Sequence, residues 1–193
     1  MRSQHQGAAR LSQEAFTAMV DHHQQRLLIF LRGLVGQPEQ AFDLVQDTFY
    51  EAWQATQKSE PPFTADTADE VRYHWLFRAA YHNALSALRR KRLIQWEPLE
   101  AVPELPDPLH LRAWSFEEQV VEGDALLAAL AQLPPQDVAC LLLRVVQGFS
   151  ATEVGAIVGT SADNVNKRLS RAKQRLRTVY FQQNDQIEEH THR

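Results

Sequence analysis

A single cysteine, Cys140, stands in 193 residues, so no disulfide can close within the chain. This agrees with a reducing, intracellular setting. No apolar run approaches the ~20 residues that a membrane helix needs. The opening MRSQHQGAARLSQEAF is basic but lacks the apolar stretch of a signal peptide. These absences predict a soluble, cytoplasmic protein with no membrane insertion. Period-2 runs bounded by turn residues, the signal for strands, are also missing. So are a nucleophile–base constellation and a phosphate-cradling glycine loop, and no enzyme activity or cofactor is expected. No HExxH pattern or second cysteine completes a metal site. The pair His22-His23 and the tail residues His190 and His192 do not alter that expectation, because adjacent histidines on a helix point in different directions.

Helical periodicity is abundant. Phe16, Val20, Leu27, Leu31 and Leu34 form one stripe, closed by Gly36-Gln37-Pro38. Phe42, Val45, Phe49, Ala52 and Trp53 form a second, and Trp75, Leu76, Ala79, Ala80, Ala84, Ala87 and Leu88 a third. Phe116, Val120, Leu127 and Leu130 make a fourth; Val138, Leu141, Leu142, Val145 and Val146 make a fifth, opened by Pro134-Pro135. Cys140 falls within that last segment as a small buried apolar residue. Pro98, Pro103, Pro106 and Pro108 lie among acids and cannot sit inside a helix. The expected fold is therefore all-α, with two small helical bundles joined by a Pro-rich acidic linker. The boundaries expected are 10–96 for the N-terminal unit, 97–114 for the linker and 115–182 for the C-terminal unit, with a disordered tail over 183–193.

The formal net charge of −4 hides a strong segregation. Twelve of the 20 basic residues fall in two acid-free stretches, Arg72–Arg92 and Lys167–Arg177, while Glu97–Asp124 holds eight acids and one base. Two local anion-binding faces follow, unless the blocks are merely solvated helix surfaces. The second block sits in GFSATEVGAIVGTSADNVNKRLSRAKQRLR. Ser150 and Glu153 form a capping box, Gly155 is small where helices cross, Gly159 turns the chain and Ser161 caps a new helix. That helix has Val165, Leu169, Ala172, Leu176 and Val179 inside, and Asn164, Lys167, Arg168, Arg171 and Arg175 outside. A short helix, a glycine turn and a second helix with a basic outer face make a helix-turn-helix, whose second helix suits the major groove of DNA.

The segment LPPQDVACLLLRVVQGFSATEVGAIVGTSADNVNKRLSRAKQRLR resembles the promoter-binding domain of extracytoplasmic-function sigma factors. PEQAFDLVQDTFYEAW resembles that family's polymerase-binding helix, and WLFRAAYHNALSALRRKR its promoter-melting helix. The resemblance implies a subunit that binds core RNA polymerase, recognises promoter DNA at its minus-35 and minus-ten elements, and helps melt it. It also implies an anti-sigma factor as a partner. Carried over by position, polymerase binding falls to Asp43, Leu44, Gln46, Asp47, Glu51 and Trp53. Minus-ten DNA binding falls to Arg78, Tyr81, His82, Arg89, Arg90, Lys91 and Arg92. Minus-35 binding falls to Asn166, Lys167, Arg168, Ser170 and Arg171; beside them, Thr160 and Ser161 at the helix N-terminus suit phosphate, and Asn164 and Arg175 belong to the same outer face.

Departures from the family pattern are local. Tyr81-His82 replaces its usual Arg-Asn pair, Ser86 its usual Asp, and Asn166 a frequent Lys or Arg, and the loop between Trp53 and Trp75 is longer. Two rival readings make separate demands. A helix-turn-helix regulator would bind duplex DNA without being a polymerase subunit. An adaptor that sequesters an anti-sigma factor by mimicry would lack promoter-dependent activity.

Overall fold

The computed structural model describes the backbone of residues 11–94 and 120–191, with side chains described over 11–91 and 126–179. The described residues are helical, with no strand among them. Helices α1 (Gln13–Val35), α2 (Pro38–Thr56) and α3 (Asp69–Ile94) form the N-terminal half. Helices α4 (Val120–Ala131) and α5 (Pro135–Leu141) lead into a π-helical turn (Leu142–Val146), followed by α6 (Ala151–Val158) and α7 (Ala162–Thr191).

Local signals set most boundaries. The Ser12 hydroxyl accepts the Ala15 N–H at the start of α1, satisfying one of the donors that a helix start leaves orphaned. Pro38 opens α2 in a first turn, where its missing N–H costs nothing. Ser150 and Glu153 make both bonds of the capping box at α6. At the other end α7 continues to Thr191, through most of the expected disordered tail. Residues 180–191 contain no proline or glycine to stop it.

The two helical bundles pack against each other, and their buried residues form one continuous hydrophobic cluster. Leu27, Phe30 and Leu31 of α1 are fully buried, as are Leu76, Phe77 and Ala80 of α3 and Leu143, Val154 and Val165 of the C-terminal half. Burying a side chain of that size contributes about 1.5–3 kcal/mol. Each half alone is short of core, and pooling the two apolar faces removes that shortage. The contact is close: a Cβ on Gly33 of α1 would lie 2.7 Å from Leu142 Cδ1. The whole of the expected linker, 97–114, and Phe116 lie outside the described residues.

Three expectations about burial are corrected. Leu44 is buried and Phe42 is 39% exposed, because α2 packs against both α1 and α3 through Ala41, Leu44, Val45, Thr48, Phe49 and Ala52. Tyr81 is 1% exposed, since it extends the Phe77–Ala84 stripe of α3 into the core. Val145 and Val146 are 60% and 51% exposed. The π turn adds a residue to the helical repeat, so the apolar stripe that reaches Leu143 swings the two valines outward.

Candidate nucleic-acid interface

The helix-turn-helix is built at Gly155 and Gly159. Gly159 ends α6 at φ 74°, a left-handed conformation that costs a side chain roughly 1–2 kcal/mol. Its N–H and that of Thr160 both donate to the Gly155 carbonyl. A Cβ at Gly155 would lie 2.6 Å from the Thr160 carbonyl oxygen, so only glycine admits this close approach. The Ser161 hydroxyl accepts the Asn164 N–H at 3.3 Å, starting α7. Val165 and Ala172 are buried beneath it.

The outer face of α7 carries Asn164, Asn166, Lys167, Ser170, Arg171 and Arg175, all exposed. Ser161 is exposed and Thr160 half-buried, its hydroxyl accepting Asn164 Nδ2–H at 3.3 Å. Arg168 is corrected out of this face. Its Nη1 donates to Asp137 Oδ1 at 2.7 Å, and Asp137 is itself buried. Arg175 reaches the second oxygen of Asp137 at 3.7 Å but keeps half its side chain in water. The carboxylate thus ties α5 to α7, and its partner Arg168 is spent on packing. Sequence spacing gave no sign of this, because Asp137 lies 31 positions away.

On α3, Arg78, His82, Arg89, Arg90 and Lys91 are exposed and lie along one helix. Tyr81 is removed from that face by its burial. Arg92 falls outside the residues with described side chains. Arg89 and Lys91 also line a groove of about 1080 Å³ together with Arg175, so the two basic blocks, far apart in sequence, share one depression.

On α2, Asp43, Asp47 and Glu51 are exposed, and Gln46 and Trp53 are half-buried. Leu44 is corrected out of this surface by its burial. Asp47 titrates above the usual carboxylate value, first through burial and then through Asp43 one turn away. Glu51 accepts a hydrogen bond from Asn83 at 3.2 Å, which fixes α2 against α3.

The halves meet through Tyr73. Its hydroxyl donates to Gln147 Oε1 at 2.8 Å, and its ring stacks on Phe149 at 4.9 Å and 24°. Gln147 in turn donates to the Arg26 carbonyl at 3.3 Å. His74 Nε2 stands 3.2 Å from Glu153 Oε1. Tyr73 therefore sits between the two units. Behind Tyr73, His23 is buried at 1% exposure, and burial pulls its pKa below the ordinary 6.5 against the opposing pull of Asp69. The adjacent rings of His22 and His23 both turn toward Asp69, which sequence adjacency alone did not predict.

Comparison with known proteins agrees with this geometry in both halves. Residues 19–94 match the family described as Sigma-70 region 2, and residues 123–176 match Sigma-70, region 4. The ECF RNA polymerase sigma factor SigE of Mycolicibacterium smegmatis is 30% identical over 164 residues, covering 82% of this chain and 59% of that protein. The ECF RNA polymerase sigma factor SigL of Mycobacterium tuberculosis is 28% identical over 174 residues, covering 89% of this chain and 92% of that protein. The match spans only 59% of SigE and 48% of the M. tuberculosis factor SigG. Among solved structures, the fold is shared with the sigma factor RpoE of Bartonella quintana, captured with the anti-sigma factor NepR. The TM-score is 0.63 at 24% identity, covering 86% of this chain and 96% of that one.

Proposed function

Since the chain belongs to the extracytoplasmic-function sigma factors, we propose that it binds core RNA polymerase and directs it to promoters. The observation that carries this reading is the pairing of two regions in one chain: a glycine-built helix-turn-helix with an exposed basic face, and an α2 surface of exposed acids. A DNA-binding regulator accounts for the first and leaves the second without a purpose.

In this reading α7 enters the major groove at the minus-35 element. Asn164, Asn166, Lys167 and Arg171 reach base edges, while Arg175 and the Thr160–Ser161 helix start hold phosphates. Arg78, His82, Arg89, Arg90 and Lys91 of α3 meet the minus-ten element, chiefly through phosphates. Asp43, Gln46, Asp47, Glu51 and Trp53 of α2 dock on the polymerase. The protein contributes binding and orientation and carries out no chemistry of its own. Its place is the cytoplasm, and no described helix is long and apolar enough to cross a membrane. An anti-sigma factor is the expected antagonist.

Run-off transcription with purified core polymerase tests the proposal. The chain should give a promoter-dependent transcript, and the Gln46→Ala/Asp47→Ala variant should fold normally but give none. A regulator acting without polymerase, or an anti-sigma adaptor, would give no transcript in either form.

A further inference from the structure

His22 and His23 of α1 converge on Asp69, the first residue of α3. His23 Nε2 lies 3.2 Å from Asp69 Oδ1, and His22 Nε2 lies 3.8 Å from Asp69 Oδ2. One ligand atom from each residue lies within 4.8 Å of the others. At tetrahedral zinc the bonds to nitrogen and oxygen are about 2.0–2.2 Å, which puts neighbouring ligand atoms roughly 3.3–3.5 Å apart. The His23–Asp69 pair already has that spacing. The remaining excess lies with His22, whose side chain is 64% exposed.

We propose that His22, His23 and Asp69 form a binding site for a divalent transition metal, with Zn²⁺ or a similar borderline ion held by two imidazole nitrogens and one carboxylate oxygen. This donor set selects against Mg²⁺ and Ca²⁺, which take oxygen ligands, and for Zn²⁺, Co²⁺, Ni²⁺ or Cu²⁺. Three protein ligands leave a position for water. The ion bridges α1 to α3, helices that the sequence joins only through α2. The site differs from a plain histidine–carboxylate hydrogen bond in one respect: such a bond needs His23 alone and gives no reason for His22 to face the same carboxylate.

The surroundings set its character. Arg72 Nε approaches Asp69 Oδ1 at 4.0 Å, and Arg26 lies over the Tyr73 ring. Both guanidiniums oppose a cation, so the site fills as metal rises and is not needed for folding. The Tyr73 ring lies 5.4 Å from that of His23 and also stacks on Phe149. The metal thus sits directly behind the contact between the two halves. The assignment is independent of the DNA-binding reading.

Titration of the full chain with Co²⁺ tests it, read by visible absorption, with Zn²⁺ competition to confirm a shared site. One equivalent should bind with the d–d band of a four- or five-coordinate ion, and Zn²⁺ should displace it. His22→Ala should keep its circular dichroism, because the side chain is exposed, yet weaken binding by more than the roughly 10–100-fold that loss of an outer partner costs. His190→Ala/His192→Ala should bind as the wild type does. The proposal is overturned if the wild type shows no such band, if the band survives His22→Ala, or if it is lost in the tail variant.

Discussion

Tyr73 stacks on Phe149 at a centroid distance of 4.9 Å, joining two helical units that the sequence separates by a proline-rich stretch. Phe149 is 3% exposed and also touches Phe77 and His74, so it is the apolar pin of the contact. Phe149→Ala should cost about 3–5 kcal/mol, the usual loss for a buried phenylalanine. Gln147→Ala, which removes two hydrogen bonds at a wetter position, should cost less, about 1–3 kcal/mol. Urea unfolding gives both values. Hydrogen exchange should show faster opening of the π turn and α6 in the phenylalanine variant, and unchanged exchange there would mean that other contacts hold the halves.

The helix-turn-helix was legible because its signals are local. Capping box, turn glycine and helix cap all act within a few residues, and each of Ser150, Glu153, Gly159 and Ser161 takes the place its spacing predicts. The all-α class was legible for the same reason. Leu44, Tyr81 and Arg168 were not, because their environments come from distant segments: α1 and α3 enclose Leu44, the core claims Tyr81, and Asp137 claims Arg168. Adjacent histidines illustrate the point most directly. Their helix spacing separates them, and a carboxylate 46 positions beyond His23 draws both rings to one side.

The capping box makes the second unit sensitive to acid. Bonds from Ser150 to the Glu153 carboxylate hold its pKa below the ordinary 4.5, with the nearby His74 adding to the effect. A depressed folded value means that the unfolded state takes up the proton first. The stabilisation is therefore fully present above pH 4.5 and is lost as pH falls through the lower folded value. Glu153→Gln should remove this part of the acid limb. Melting temperature measured from pH 6 down to pH 3 should fall less steeply in the variant, and parallel curves would rule out the carboxylate as its source.

Gly155 tests the turn itself. An alanine there would place its Cβ 2.6 Å from a backbone oxygen, which cannot move aside as a flexible side chain would. Gly155→Ala should cost about 1–3 kcal/mol through overpacking and shift α7 relative to α6. Binding to promoter duplex should weaken even at temperatures where the variant is fully folded. Chemical denaturation and fluorescence anisotropy, run side by side, separate the two effects. Wild-type affinity in a destabilised variant would show that the α6–α7 crossing does not set the DNA-reading face.

Three of the four arginines of α7 should separate into three roles. Arg168 is tied to the buried carboxylate of Asp137, so Arg168→Ala leaves that charge with only the longer contact to Arg175. The loss should be about 3 kcal/mol of stability, at the low end for breaking a buried pair because Arg175 remains close. Arg171 is exposed on the outer face, one turn beyond Lys167. Arg171→Ala should leave stability unchanged and reduce discrimination at one base position by about 1–3 kcal/mol, the worth of a bidentate contact to guanine. Arg175 is half-exposed and lies a further turn along, where a straight helix leaves the groove. Arg175→Ala should weaken all DNA sequences alike and lower the salt slope of binding by roughly one unit. The measurements are urea unfolding of each variant and salt-dependent binding to a promoter duplex and its single-base changes. A loss of base preference in Arg168→Ala with intact stability would place that guanidinium on the DNA and break the assignment to Asp137.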